Sequence, residues 1–540
     1  MLLTSAISVG SFMKVLILLL TLALTGFLGA WLLLGPYLFS HFAPPMSSDT
    51  DISSWEQTAP LSTRLGSVIG LKHSKGLAFL GVPFAKAPTD ELRFMPPVPV
   101  EPWQEPLLAT SFPNRCMQID LAPIVIEPNS FAMSEDCLFL NIYTPSTQTK
   151  NRPVLFWIHG GSFTAGSGNG YIGTQLAKQG DVVLVSINYR LGILGFLDLS
   201  SFSEVYTGSA SNGIRDQVLA LEWVHHNIQN CGGDPNNVTI FGESAGATSV
   251  ASLLAAPRAA GLFHKAIIHS GAPVIAPPDD FRGFLSEILE VPSDDLLQKL
   301  RAMNAAEITA LQNNNLPGQL GGIIDGAVVT KSSYQAIRES DIPIIVGSNK
   351  NEGSLFSFLT PRFAYGLAGP FIAELFTTAK NTSAYIDSLK TNFPDDSSRE
   401  QYERIWYDLF RFNAVKVAEH ASNTGQGSWL YRFDMAAQND PIGIEVGASH
   451  ALEIPFTFNL FAEQDAGYYD SNDSAVRELA ENWSNTLMQF ARTGNPNGAG
   501  LPVWPSYRRD ARNTMILDHV PKIIVDLDRK DRKRWQALGR

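Results

Sequence analysis

GGDPNNVTIFGESAGA, residues 232–247, is the stretch on which the reading of this 540-residue chain turns. VTIF (238–241) is a run of β-branched and aromatic residues, as in a strand buried on both faces. ATSVASLLAA (247–256) has the composition of a helix, expected over Ala247–Ala255. Between them stands Gly242-Glu243-Ser244-Ala245-Gly246, the one Gly-x-Ser-x-Gly in the chain. The bare pattern is weak, but strand, tight turn and helix in that order are what a nucleophile elbow requires. Flanking glycines remove Cβ atoms where the backbone reverses, leaving the serine hydroxyl exposed at the helix N-terminus.

Outward from this point, similar apolar runs recur on both sides. LFLNIY (138–143), VLFWI (154–158), VVLVSI (182–187), AIIH (266–269), IPIIVG (342–347) and SWLYRF (428–433) read as further buried strands. Asp216–Gln229 has helical spacing, and the alternation of strand and helix implies an α/β fold with a mostly parallel sheet. Val68–Leu71 and Ala78–Val82 suggest an antiparallel start, whereas 280–312 and 355–422 look like helical insertions over the sheet.

A serine hydroxyl is inert at neutral pH without a base. In the order serine, acid, histidine, the bases available downstream are His264, His269, His420, His450 and His519. His264 and His269 lie in or beside a strand, and His420 in a charged helical segment. His450, in GASHALEIPF (447–456), sits where small residues lead into a loop, the setting a general base needs. For the acid, Glu352 follows IPIIVG where the chain leaves the sheet and is the first choice; Asp325 in IIDGAVV (323–329) is its rival, although Asp-Gly more often makes turns. Glu243 adjoins the serine but is expected to point away from it around the elbow. His159-Gly160-Gly161-Ser162-Phe163 follows VLFWI directly. Two bare glycine N–H groups there, with the N–H of Ala245, would form an oxyanion hole, at about 3–4 kcal/mol per donor.

Lys and Arg number 40 against 52 Asp and Glu, a net charge of −12, which argues against nucleic acid as a partner, since binding it needs clustered positive charge. Val15–Ser40 is a run of 26 uncharged, mostly apolar residues with Lys14 on its N-terminal flank. It is long enough to span a bilayer, and Lys14 would hold that end in the cytoplasm. The expectation is an uncleaved signal-anchor at 15–40, a tether at 41–61 and a catalytic part exported at the membrane. Translation from Met13 with cleavage after Ala30 is the alternative, giving a secreted enzyme. Of the three cysteines, Cys116 and Cys137 bracket a loop rich in Pro and Asn, and a bridge there would stabilise by about 3 kcal/mol. Two ordinary buried thiols are the other reading, and Cys231 is expected to be free.

SEDCLFLNIYTP (134–145), FWIHGGSF (156–163), INYRLGILGF (187–196), NGIRDQVLALEWV (212–224), GGDPNNVTIFGESAGA (232–247) and GASHALEIPFTF (447–458) together carry a further message. With these blocks in this order, the chain resembles the type B carboxylesterase and cholinesterase family of α/β-hydrolases, from about Ser62 to the C-terminus. The resemblance implies a hydrolase domain over 62–536, with a central mostly parallel sheet flanked by helices and helical insertions over the active site. It implies Ser244 as nucleophile, Glu352 as acid, His450 as base, and Gly160, Gly161 and Ala245 as the oxyanion hole. It pairs Cys116 with Cys137, calls for no cofactor or metal, and makes a small-molecule carboxylic ester the substrate. Two departures stand out: Cys231 takes a position where the family commonly has Phe, and the loop closed by the two cysteines has Phe131 as its only aromatic. Cholinesterases place a Trp in that loop to hold a quaternary ammonium, so a choline ester is not expected. Members of the family without the serine act as adhesion proteins. A membrane-displayed binding protein is therefore the alternative from a different class.

Overall fold

The seven apolar runs all lie in one twelve-stranded sheet. The computed structural model describes residues 52–119, 131–272, 274–312, 320–374, 377, 379–439, 445–462 and 467–539. In chain order the strands are β1 (Glu56–Gln57), β2 (Leu71–His73), β3 (Gly76–Pro83), β4 (Phe139–Thr144), β5 (Arg152–Ile158) and β6 (Val183–Ile187). They continue as β7 (Gly233–Glu243), β8 (Lys265–His269), β9 (Ile344–Asn349), β10 (Ser428–Phe433), β11 (Asn513–Leu517) and β12 (Lys522–Val525). Across the sheet the order is β1-β2-β3-β4-β6-β5-β7-β8-β9-β10-β11-β12. The block from β6 to β11 is parallel, and antiparallel strands complete both sides.

The apolar runs explain the block. Every residue of β5 and β6 is buried, so successive side chains enter two different cores. Val154, Phe156 and Ile158 join Val185, Ile240 and Ile268 on one face. Leu155 and Trp157 join Leu184, Phe241 and Ile345 on the other.

The antiparallel start differs from expectation. Gly66–Ile69 pairs with Leu61–Thr63 and Leu107–Leu108 in a separate small sheet, while β2 and β3 pair with each other. Gly70 divides the expected strand, because a Cβ there would collide with the Ala78 carbonyl.

Helices α1 (Asn212–Asn227) and α2 (Ala245–Leu254) pack beside the strands. The first insertion contains α3 (Arg282–Ile288), α4 (Leu296–Ala302) and α5 (Ala305–Leu311). The second contains α6 (Gly353–Leu359), α7 (Tyr365–Glu374), α8 (Ala379–Asn392) and α9 (Ser398–Ala421). A capping box between Ser397 and Glu400 starts α9. A tenth element, α10 (Ser474–Thr493), ends at Gly494 in the left-handed conformation (φ 75°). The stretch Val15–Ser40 and residues 41–51 of the tether lie outside the described residues. Among the described residues no helix is long and apolar enough to cross a membrane.

Candidate active site

Ser244 closes β7 and opens α2 with φ 56° and ψ −121°, a conformation that costs a non-glycine residue of order 1–3 kcal/mol. Backbone bonds hold it there: Ser244 N donates to His269 O (2.9 Å), and Thr248 N donates to Ser244 O (2.9 Å). Gly246 is required because a Cβ on it would collide with the Ile158 carbonyl at the end of β5. That close approach also brings the next loop to the serine. A Cβ on Gly160 would lie 3.1 Å from Ser244 Cβ, and Gly161 turns away with φ 101°. Gly160 and Gly161 border the same cavity as Ser244, and Ala245 follows it as the first residue of α2.

Glu352 and His450 come from the loops that follow the neighbouring strands β9 and β10. Asn351 N donates to Ala448 O (2.9 Å) and Asn349 Nδ2 to Ser449 O (2.6 Å), lacing the two loops together. Glu352 is fully buried, and its Oε1 accepts from Ser270 Oγ and from Asn349 N, both at 2.7 Å. Its Oε2 lies 2.6 Å from His450 Nδ1. The imidazole stacks on Phe410 (4.5 Å between centroids) and touches Phe356 at 5.2 Å. Ser244, His450, Phe356, Leu355, Tyr171 and Ile454 border one cavity of about 40 Å³.

Glu243 does not point away. Its Oε1 lies 3.1 Å from His450 Nε2, out of line for a hydrogen bond but close enough for strong electrostatic contact. The reason is strand alternation: Glu243 shares its face of β7 with Phe241, and the chain reverses only at Ser244. The carboxylate stays on the face over which the His450 loop folds. Glu453, also buried, accepts from Asn349 Nδ2 at 2.5 Å. Sequence reasoning passed over Glu453, although it stands three residues beyond His450 in the same block. Burial opposes a charged His450, but the carboxylates of Glu243 and Glu352 outweigh it and push the ring up to about 9. Burial pushes Glu243 up to about 8, only partly offset by His450. Among the described residues Ser244 Oγ makes no side-chain hydrogen bond.

The other sequence candidates lie apart. His269 is buried against Tyr431 Oη (2.6 Å), and burial pushes it down to about 3. His264 Nδ1 accepts from Val238 N at 3.2 Å. His420 stands beside Arg338, and His519 is exposed next to Asp518. Asp325 accepts from the N–H groups of Ala327, Val328 and Val329, which is turn chemistry. Cys116 and Cys137 are joined by a disulfide, and Cys231 is free and buried. Phe131 packs on Phe112 at 5.2 Å. Among the described residues no group of three or more His, Cys, Asp or Glu side chains is placed to hold a metal ion.

A strained serine between a parallel strand and a helix, at the carboxyl ends of that sheet, defines the α/β-hydrolase class. The carboxylesterase family profile matches residues 57–535, so the chain belongs to the carboxylesterase family and is a carboxylic ester hydrolase. It is 34% identical over 495 residues to the para-nitrobenzyl esterase of Bacillus subtilis strain 168, covering 88% of this chain and 98% of that one. It is 35% identical over 500 residues to the human cocaine esterase, covering 83% and 86% respectively. Among solved structures, the Geobacillus stearothermophilus carboxylesterase EST55 at pH 6.2 superposes with a TM-score of 0.78 at 34% identity, covering 89% of this chain and 100% of that chain.

Proposed function

We propose that the chain cleaves small carboxylic esters through an acyl-enzyme on Ser244. His450 Nε2 swings from Glu243 to Ser244 Oγ and takes its proton as the oxygen attacks the ester carbonyl carbon. The N–H groups of Gly160, Gly161 and Ala245 receive the oxyanion. His450 returns the proton to the departing alkoxide, then takes one from water as the water oxygen attacks the acyl carbon, and gives that proton to Ser244 Oγ as the carboxylic acid is released. Glu352 keeps Nδ1 protonated and stabilises the imidazolium. The 2.6 Å contact between His450 Nδ1 and Glu352 beside a strained Ser244 carries this reading. An organophosphate should label Ser244 stoichiometrically, with peptide mapping to the 242–246 motif. A chain that binds ligands but takes no label is the adhesion-type alternative. A panel of p-nitrophenyl esters from acetate to palmitate would define acyl preference. The same proposal places the catalytic part outside the cytoplasm, held to the membrane by Val15–Ser40, a location that the Cys116–Cys137 bridge supports.

A further inference from the structure

Helix α7 wears its apolar side outward. Phe363 in the 3-10 turn Arg362–Ala364 just before it, and Leu367 and Phe371 within it, are 72%, 79% and 60% exposed, and Gly366 and Pro370 are exposed too. No charged residue lies between Arg362 and Glu374. The opposite side is already seated: Tyr365 Oη donates to Ser357 O (2.8 Å), and Ala373 packs in a cluster with Tyr385, Ile405 and Phe410. The exposed stripe is therefore surplus to folding, and contiguous exposed apolar surface of this kind marks an interaction site. It also adjoins the site. Phe356 of α6 packs against that same cluster, borders the cavity and touches His450.

We propose that this face seats the enzyme on a lipid surface, so that esters dissolved in the lipid enter beside α6. A second copy of the chain is a poor occupant. A ten-residue helix is about 15 Å long, and its few outward side chains fall far short of the roughly 800 Å² per partner of a stable interface. A bilayer asks for no complementary shape, only apolar side chains to dip below the headgroups. The chain outside the structure points the same way: Val15–Ser40 would insert, and residues 41–51, even fully extended, reach only about 40 Å. The body would thus be held within reach of the bilayer. The proposal rests on the Ser244 reading only for where the ester enters; docking itself is independent of it.

The test uses the full chain with Leu367→Cys carrying an environment-sensitive fluorophore. Cys231 is buried and the other two cysteines are bridged, so the label goes to the new thiol. A label at Val503→Cys, 80% exposed outside this helix, is the reference. With phosphatidylcholine vesicles the 367 label should shift to the blue, and dithionite should quench it an order of magnitude more slowly than the 503 label. Equal quenching overturns the proposal. So does protection without vesicles: if it grows with protein concentration the occupant is a second copy, and if it does not, the N-terminal segment covers the stripe. The triple variant Phe363→Ser, Leu367→Ser, Phe371→Ser should raise KM about ten-fold for a vesicle-borne long-chain ester, in line with the lost apolar burial, and leave kcat/KM for soluble p-nitrophenyl acetate unchanged. Equal loss on both substrates, or none on either, overturns the proposal. Should the parent prove inactive, the Ser244 reading fails while label protection still reports docking.

Discussion

In the proposed mechanism His450 accepts a proton, and a carboxylate pressed against its ring would set the pH at which it can do so. His450 is held at about 9 by Glu243 and Glu352 against the opposing effect of burial. The free base, the form that the proposed mechanism uses, is therefore disfavoured relative to an ordinary histidine, and the acid limb of kcat/KM should lie above the usual value of about 6.5. Glu243→Gln removes one of the carboxylates that raise it, so His450 loses its proton more readily and the limb should move to lower pH. A pH profile with p-nitrophenyl acetate checks this, and an unmoved limb would mean that Glu243 does not face the ring in the working enzyme. Ser244→Ala and His450→Ala should each cost roughly 10⁴–10⁶ in kcat, and the double variant little more, because the pair acts as one unit. Near-additive losses would reject the assignment. Glu352→Gln should keep the fold and lose about 10⁴ in kcat, since a neutral amide favours the wrong tautomer. Ser244, Glu352 and His450 were legible because each sits in a block whose spacing and setting are unusual. Glu243 was not, because a one-residue shift in where a strand ends decides which face a side chain takes.

The apolar elements could be read where they are buried on both sides and not where they meet solvent. Strands β4 to β10 follow continuous apolar runs. β1 has two residues, and β11 and β12 are short runs with Thr514 and Lys522 among them, too brief and mixed to stand out. Helix α7 was invisible as a surface for another reason: Phe363, Leu367 and Phe371 have the spacing of a core-facing stripe, and only the fold reveals that they face outward. Val15–Ser40 is the element most open to direct trial. Two arginines near its centre cost about 5–7 kcal/mol of insertion energy. Leu20→Arg with Leu24→Arg should therefore leave the enzyme inside the cell with Cys116 and Cys137 reduced, as thiol alkylation and mass mapping would detect. Wild-type activity should remain with membranes through carbonate washing and leave with detergent. An N-terminus near Trp31 in the purified enzyme would instead mean a cleaved signal.

At the scale of the molecule, two buried ion pairs fasten the C-terminal segment to α9. Arg411 forms a fork with Asp528, at 2.8 Å to each oxygen, and Arg534 meets Asp408 at 2.5 Å. Arg411 is wholly inaccessible, so Asp528→Ala would strand its charge and should cost about 3–5 kcal/mol. Replacing both partners, Arg411→Met with Asp528→Leu, should recover most of that, and denaturant midpoints measure both. Equal destabilisation by the single and double variants would show that the fork itself, not an orphaned charge, carries the effect. The second insertion has a different bearing. It joins β9 to β10, which are parallel neighbours, and such a crossover needs only a dozen or so residues. Here it runs from 350 to 427, although Glu352 and His450 are laced together by bonds within the two loops. Descent can therefore lengthen, shorten or exchange the stretch between α6 and α9, provided that α9, whose Phe410 stacks on His450, keeps its place. New diets of substrate could arise there as inherited variation in a replaceable cassette, while the chemistry stays unaltered.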